Sequence, residues 1–270
     1  MNGSAAGLAG SVVDAARREA EAAAQAAGVE IRPATLGTVQ AVQEIVGTVW
    51  GPAQRLQANL LMAMAHAGGT VAAAVRGDEP VGACVGFLGW DGGVHLHSHM
   101  VAVRAGARAS GVGYALKLWQ RAVCLEQGIA EIRWTFDPMV RRNASFNLVK
   151  LGARVVDYRP DFYGEMDDIV NAGDHSDRFE VSWLLGSDDV AAALLGTPAA
   201  VHGSEGLVAL PEDYDTLRRE DPPAARRWRE QVRVQLARHW DAGLRPGWAS
   251  SGEGYVFRPA ESDGGQWARG

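Results

Sequence analysis

Residues 100–116 read Met-Val-Ala-Val-Arg-Ala-Gly-Ala-Arg-Ala-Ser-Gly-Val-Gly-Tyr-Ala-Leu. The β-branched residues Val101 and Val103, with Ala102 between them, end a strand. A loop of small residues follows, Arg108-Ala109-Ser110-Gly111-Val112-Gly113, and Tyr114 lies in the first turn of an apolar-periodic helix. Such a turn is a device for holding phosphate. Bare glycine backbone lets N–H groups approach an anion, the helix start adds positive dipole, and Arg108 adds a full charge. The stretch points to a ligand with a pyrophosphate arm.

Outward from this turn the pattern is regular. Upstream, the spacing predicts a helix over 11–27 behind a frayed start at 1–10, a strand over 29–32, and helices over 35–49 and 54–67. Strands over 70–75, 81–90 and 94–103 are joined by turns at 76–80 and 91–93. Downstream, helices at 112–127 and 142–151 flank a strand at 131–136, and strands at 154–158 and 179–185 follow. The fold class is α/β (α+β): a mixed, mostly antiparallel twisted sheet flanked by helices. The texture changes after Gly186, where residues 186–260 read as an α/β appendage packed on the core, with a long helix over 222–242 and a final strand over 254–258. Residues 261–270 read as a disordered tail. Trp228 and Trp240 on the long helix read as core or subunit interface, and Arg226, Arg227, Arg229 and Arg233 as a solvated face.

Composition bounds the function. A chain of 270 residues with 47% hydrophobic and 21% charged content is that of an ordinary globular protein with a sizeable core. A net charge of -6 argues against nucleic acid as a partner. There is no apolar run long enough for a membrane span and no apolar signal core, so a cytoplasmic location is expected. Cys84 and Cys124 lie far apart within apolar stretches and read as reduced core thiols, with no metal expected.

The element order, with Arg-x-x-Gly-x-Gly between a strand and a helix, resembles the GNAT acyltransferase superfamily over residues 29–185. His-Ser-His-Met at 97–100, Trp-Thr-Phe-Asp-Pro at 134–138 and Ser-Asp-Arg-Phe at 176–179 make it similar to a bacterial branch of predicted acetyltransferases. The resemblance implies a domain plan of an N-terminal helical extension (1–28), an acyltransferase core (29–185), the appendage (186–260) and the tail. It implies acetyl-CoA or another acyl-CoA, succinyl-CoA included, as co-substrate. Arg108, Ala109, Ser110, Gly111, Val112, Gly113 and Tyr114 would cradle the pyrophosphate, and the backbone of Val101, Ala102 and Val103 would hold the pantetheine arm. Asn143 and Phe146, on the helix that ends Lys150-Leu151-Gly152, would reach toward the coenzyme. The activity implied is N-acylation of a small-molecule amine in a ternary complex, by a protein whose relatives are commonly homodimers.

Acyl transfer from a thioester to an amine needs a base, a polarised carbonyl and protonation of the thiolate. Polarisation would fall to a backbone N–H near Val101. Period-two alternation puts His95, His97, His99, Val101 and Val103 on one face, with His97 and His99 as candidate bases. Aligned on Lys150-Leu151-Gly152, the family's helix tyrosine is replaced by Leu148; Tyr163 on a neighbouring loop is the candidate acid, ahead of the strand residue Tyr158, with solvent as the alternative proton source. For the acceptor, Arg178 would grip a carboxylate and Asp177 an amine, with Trp134, Thr135, Asp137 and Asn147 lining the pocket; an internal salt bridge at Asp177 and Arg178 is the plainer alternative. Two other readings stay open. One is a non-catalytic CoA-binding sensor or interaction module, motivated by Leu148, and the other is a metal hydrolase using the strand histidines.

Overall fold

The computed structural model describes residues 3–166, 168, 173–198 and 205–260. The chain forms two compact units, Met1–Arg133 and Trp134–Gly270.

The first unit contains α1 (Gly3–Ala27), β1 (Glu30–Pro33), α2 (Leu36–Trp50), α3 (Ala58–His66), β2 (Thr70–Arg76), β3 (Glu79–Gly89), β4 (His95–Val103), α4 (Val112–Glu126) and the start of β5 (Glu131–Phe136). Strands β1 to β4 are neighbours in chain order and antiparallel, and β5 joins β4 in parallel. Strand β2 explains the layering. Residues 70–75 are buried on both faces, so Val71, Ala73 and Val75 pack with Val39, Val42, Ile45, Val46 and Leu61 of α2 and α3. Ala72 and Ala74 pack with Val112, Ala115 and Leu116 of α4 on the other face. Small alternate residues let helices approach both sides of a strand closely.

Helix α1 begins at Gly3, eight residues before the expected start, because the alanine-rich run carries helix propensity through the segment read as frayed. It shares a core cluster with α4 through Ala23, Ala24 and Ala27, with Arg17 Nε 2.5 Å from Glu126 Oε1 and Arg121 Nη1 2.5 Å from Glu19 Oε2.

The second unit contains the end of β5, α5 (Arg141–Ala144), β6 (Arg154–Arg159), β7 (Arg178–Leu184), α6 (Asp188–Leu194), β8 (Glu205–Ala209), α7 (Tyr214–Glu220), α8 (Pro222–Asp241), β9 (Leu244–Trp248) and β10 (Gly254–Pro259). Strand β7 lies between β5 and β6, and β8-β10-β9 form a separate antiparallel sheet. The helix expected over 142–151 is instead one α turn followed by a π-helix, Ser145–Lys150, in which Leu151 N–H reaches back to the Phe146 carbonyl. The mixed, mostly antiparallel architecture agrees with the sequence reading. The expected tail at 261–270 lies outside the described residues.

Buried ion pairs hold α8 in place. Arg229 is 1% exposed and donates to both carboxylate oxygens of Asp137 at 2.7 and 2.8 Å and to Asp174 Oδ2 at 2.6 Å. The solvated face expected for this helix is therefore wrong at Arg229. Ala225, Arg229, Val232 and Leu236 form one inward stripe at helical spacing.

Candidate functional site

In the first unit, the loop before α4 has the backbone of an anion cradle. Gly111 sits in the left-handed region at φ 85° and gives α4 no side-chain cap, which leaves Val112 and Gly113 N–H without an intrahelical acceptor. Ala109 adopts φ 65°, a conformation rare for a residue with a Cβ and one that concentrates at functional turns. The Arg108 side chain is exposed and has no hydrogen bond or ion pair among the described residues. A second cation lies at this loop: Arg76 Nη2 donates to Ala27 O at 3.2 Å and to Ser110 Oγ at 3.4 Å, and Ser110 Oγ donates to Ala107 O at 2.7 Å. Nothing in the sequence marks Arg76, which stands at the end of β2. Burial, with Glu19 adding to it, pushes the Tyr114 hydroxyl above the ordinary tyrosine range.

Strand β4 beside this loop has one free edge. It pairs with β5 at Leu96↔Ile132 and His97↔Arg133, and the ladder stops there. From Ser98 to Val103, that edge has no partner strand among the described residues, so backbone N–H and C=O groups are available to an extended ligand.

The same strand carries a bulge. Against β3, Met100 is opposite Val85 and His97 is opposite Phe87, so Ser98 and His99 together oppose Gly86. This overturns the expected single face. Val101 and Val103 pack toward α4, and Ser98 joins them there by bonding Lys117 and Gln120. His97 and His99 turn to the Phe87 side, with ring centroids 5.1 and 5.8 Å from Phe87 and 6.0 Å from each other. His95 Nδ1 lies 2.9 Å from Gly93 O.

Burial is the main cause that lowers the His97 pKa to about 4, and His99, His95 and Lys117 add to it. His99 is lowered by burial. Both imidazoles are neutral at pH 7. Among the described residues, no group of three His, Cys, Asp or Glu is placed to hold a metal ion. Also among them, no helix is long and apolar enough to cross a membrane.

The second unit gathers other candidates. Thr135 Oγ1 and Tyr163 Oη lie 3.1 Å apart. Arg178 is 7% exposed and lies under the Tyr163 ring at 5.3 Å, and it donates to Asp177 O and to the Met166 sulfur. The loop bearing Tyr163 is tied at Asp161 (φ 49°), whose carboxylate accepts from Arg233 Nη2 (2.6 Å) and lies 2.7 Å from His175 Nδ1, and whose N–H donates to Asp177 Oδ1 (3.0 Å). Trp134 Nε1 donates to the buried Asn147 Oδ1 at 3.2 Å. Asn143 and Phe146 are half-buried on the short helix and the π turn.

Asp137 and Asp177 are engaged within the protein. Asp137 is bound to Arg229, and burial, which would raise its carboxyl, is outweighed by that guanidinium, which holds it below the usual range. Asp177 Oδ2 is 3.3 Å from Arg233 Nε, and burial raises its carboxyl.

No protein-family model matches the sequence, and no curated protein does. Solved structures are similar. The ribosomal-protein-S18-alanine N-acetyltransferase from Escherichia coli is 12% identical, with 59% of this chain and 95% of that chain covered and a TM-score of 0.48. A GNAT family acetyltransferase from Elizabethkingia anophelis with acetyl-CoA bound is 18% identical over 58% of this chain and 98% of that one, with a TM-score of 0.46. Arabidopsis thaliana Naa50 in complex with a bisubstrate analogue is 21% identical over 57% and 97%, also with a TM-score of 0.46.

Proposed function

We propose that this chain is an acyl-CoA-dependent N-acyltransferase that moves an acetyl or succinyl group to the amine of a small molecule such as an amino acid. The observation that carries the reading is a conjunction within the first unit: an uncapped, glycine-opened helix start adjoins a strand whose edge, beyond His97, has no partner strand among the described residues. The first feature suits a diphosphate and the second an amide-bearing arm, and coenzyme A has both. The resemblance of the Arg108–Gly113 turn to the GNAT motif supports the same ligand.

In this reading Arg108 and the N–H groups of residues 109–114 bind the diphosphate, and the backbone of Val101, Ala102 and Val103 orients the pantetheine arm. By the same resemblance, Asn143 and Phe146 are assigned to the coenzyme. A coenzyme A thioester supplies an activated acyl carbonyl, which an N–H of the free β4 edge polarises. The amine attacks directly, the C–S bond breaks, and orientation supplies much of the rate. Neutral His97 or His99 takes the amine proton, and Tyr163, tied to Thr135, returns one to the leaving thiolate. Trp134, Asp137, Asn147, Asp177 and Arg178 are assigned to the acceptor side, with Asp137 acting through its hold on Arg229.

The domain plan goes with this reading: a helical extension, a catalytic core over 29–185 and an appendage over 186–260. So do a cytoplasmic location and a homodimer, the latter checked by light scattering. Calorimetric titration with acetyl-CoA and succinyl-CoA tests the core claim, followed by thiol release against an amine panel. Absence of binding overturns it. Binding without thiol release for any amine converts the reading to a non-catalytic CoA-binding module.

A further inference from the structure

Beneath the β4 bulge runs a buried polar chain. Lys117 Nζ donates to Ser98 Oγ at 2.9 Å, Ser98 Oγ donates to Gln120 Oε1 at 2.8 Å, and Gln120 Nε2 donates to Thr70 Oγ1 at 2.8 Å. All four side chains are buried. The chain links α4 to β2 and β4 across Gly86 of β3. A Cβ on Gly86 would stand 2.6 Å from Thr70 Oγ1, 3.1 Å from Gln120 Nε2 and 3.1 Å from His97 O. Gly86 is also the residue opposite the two-residue bulge.

Apolar side chains of similar size would fill this space at lower cost, since a buried ammonium and buried amides demand partners. What apolar packing would not do is specify which residue of β4 faces α4. A strand has period two, so a one-residue change in alternation turns every later side chain to the opposite face. The Ser98 hydroxyl, bonded from both sides, fixes that choice.

We infer that Lys117, Ser98, Gln120 and Thr70 form a brace that sets the bulge and aims His97 and His99 away from α4, so that Lys117 and Ser98 are positioning residues for chemistry at the β4 edge. The effect on rate rests on the acyl-transfer reading, whereas the effect on the strand does not. The brace also touches the histidines electrostatically. Lys117 is among the groups that lower His97, after burial, His99 and His95. Burial brings Lys117 itself down to about 7, with Cys84 of β3 and Cys124 of α4 acting in the opposite direction.

The test compares the wild type with Ser98→Ala, Ser98→Thr and Lys117→Met. Histidine ring resonances are followed against pH, and thiol release from acetyl-CoA is followed with the best amine. Ser98→Ala should lower kcat about tenfold or more and leave KM for acetyl-CoA within about twofold, and Ser98→Thr should restore most of the rate. Lys117→Met should raise the His97 midpoint, because a positive neighbour is gone. Equal rates for Ser98→Ala and wild type, or an unchanged His97 midpoint in both Lys117→Met and Ser98→Ala, overturn the brace. A wild type without acetyl-CoA binding overturns the acyl-transfer reading alone, and the His97 midpoints then still decide for or against the brace.

Discussion

Replacing Lys117 by methionine should stabilise the protein at neutral pH, and the gain should fade as pH rises. Lys117 is 3% exposed, and burial brings its pKa from the ordinary lysine value to about 7. Between that value and the unfolded pKa of about 10.4, the unfolded chain holds a proton that the folded chain has largely released. The Lys117 contribution to wild-type stability therefore rises with pH through this window. The penalty for burying Lys117 is about 4 kcal/mol at pH 7, about 3 at pH 8.5 and about 1 at pH 10. Methionine fills the volume of the lysine stem, and the lost bond to Ser98 costs about 1 kcal/mol. The variant should thus be more stable by about 3 kcal/mol at pH 7 and roughly equal to wild type at pH 10. Burial pushes the Cys84 and Cys124 thiols up to about 12, so they ionise first in the unfolded chain. Both proteins carry them, and that contribution cancels in the difference. Urea unfolding of the two proteins at pH 7, 8.5 and 10 supplies the comparison. A variant less stable than wild type at pH 7, or a difference that does not shrink with pH, refutes the reasoning.

Reversing Arg108 to glutamate should weaken CoA binding about tenfold or more, or about 1.4 kcal/mol, by calorimetry, with the melting temperature little changed. Arg229→Ala strands the buried Asp137 carboxylate, while Asp174 keeps Tyr214 and Arg218, and should cost about 3–5 kcal/mol in denaturant unfolding at pH 7. Because Asp137 is held below the usual carboxylate range, its share of stability is present above about pH 4 and lost as pH falls through the folded value; acid titration of Arg229→Ala should lack that loss. Gly86→Ala should cost about 1–3 kcal/mol and move the His97 midpoint, measured by ring resonances. Tyr163→Phe should reduce thiol release about tenfold or more if the hydroxyl protonates the thiolate, and an unchanged kcat removes it from the mechanism.

The strand-turn-helix around Gly111, the three-strand meander before it and the stripe of α2 were legible because each rests on local periodicity and turn chemistry. The bulge was not. Nothing in His-Leu-His-Ser-His-Met marks an extra residue, and Gly86, which faces the bulge, is one of three glycines in β3, so it did not stand out. Arg229 was misread because four arginines within eight positions resemble a wet surface, although its spacing from Ala225, Val232 and Leu236 marks it as inward. Lys117 lies one residue after the apolar stripe of α4, and its partner Ser98 is distant in sequence, so the pair was invisible without the sheet. The π turn at 145–150 was hidden for the same reason, since its apolar spacing is also compatible with an ordinary helix.

Arg229 also governs where this chain can be cut. A shortened version ending near Gly186 would keep Asp137 and Asp174 and discard the guanidinium that neutralises them. The same cut removes Tyr214 and Arg218, which also bond Asp174, so both acids would stand without their partners. Anyone trimming the protein for crystallisation would need to convert the two to asparagine first, because the last third of the polypeptide is a counterion for strands synthesised before it.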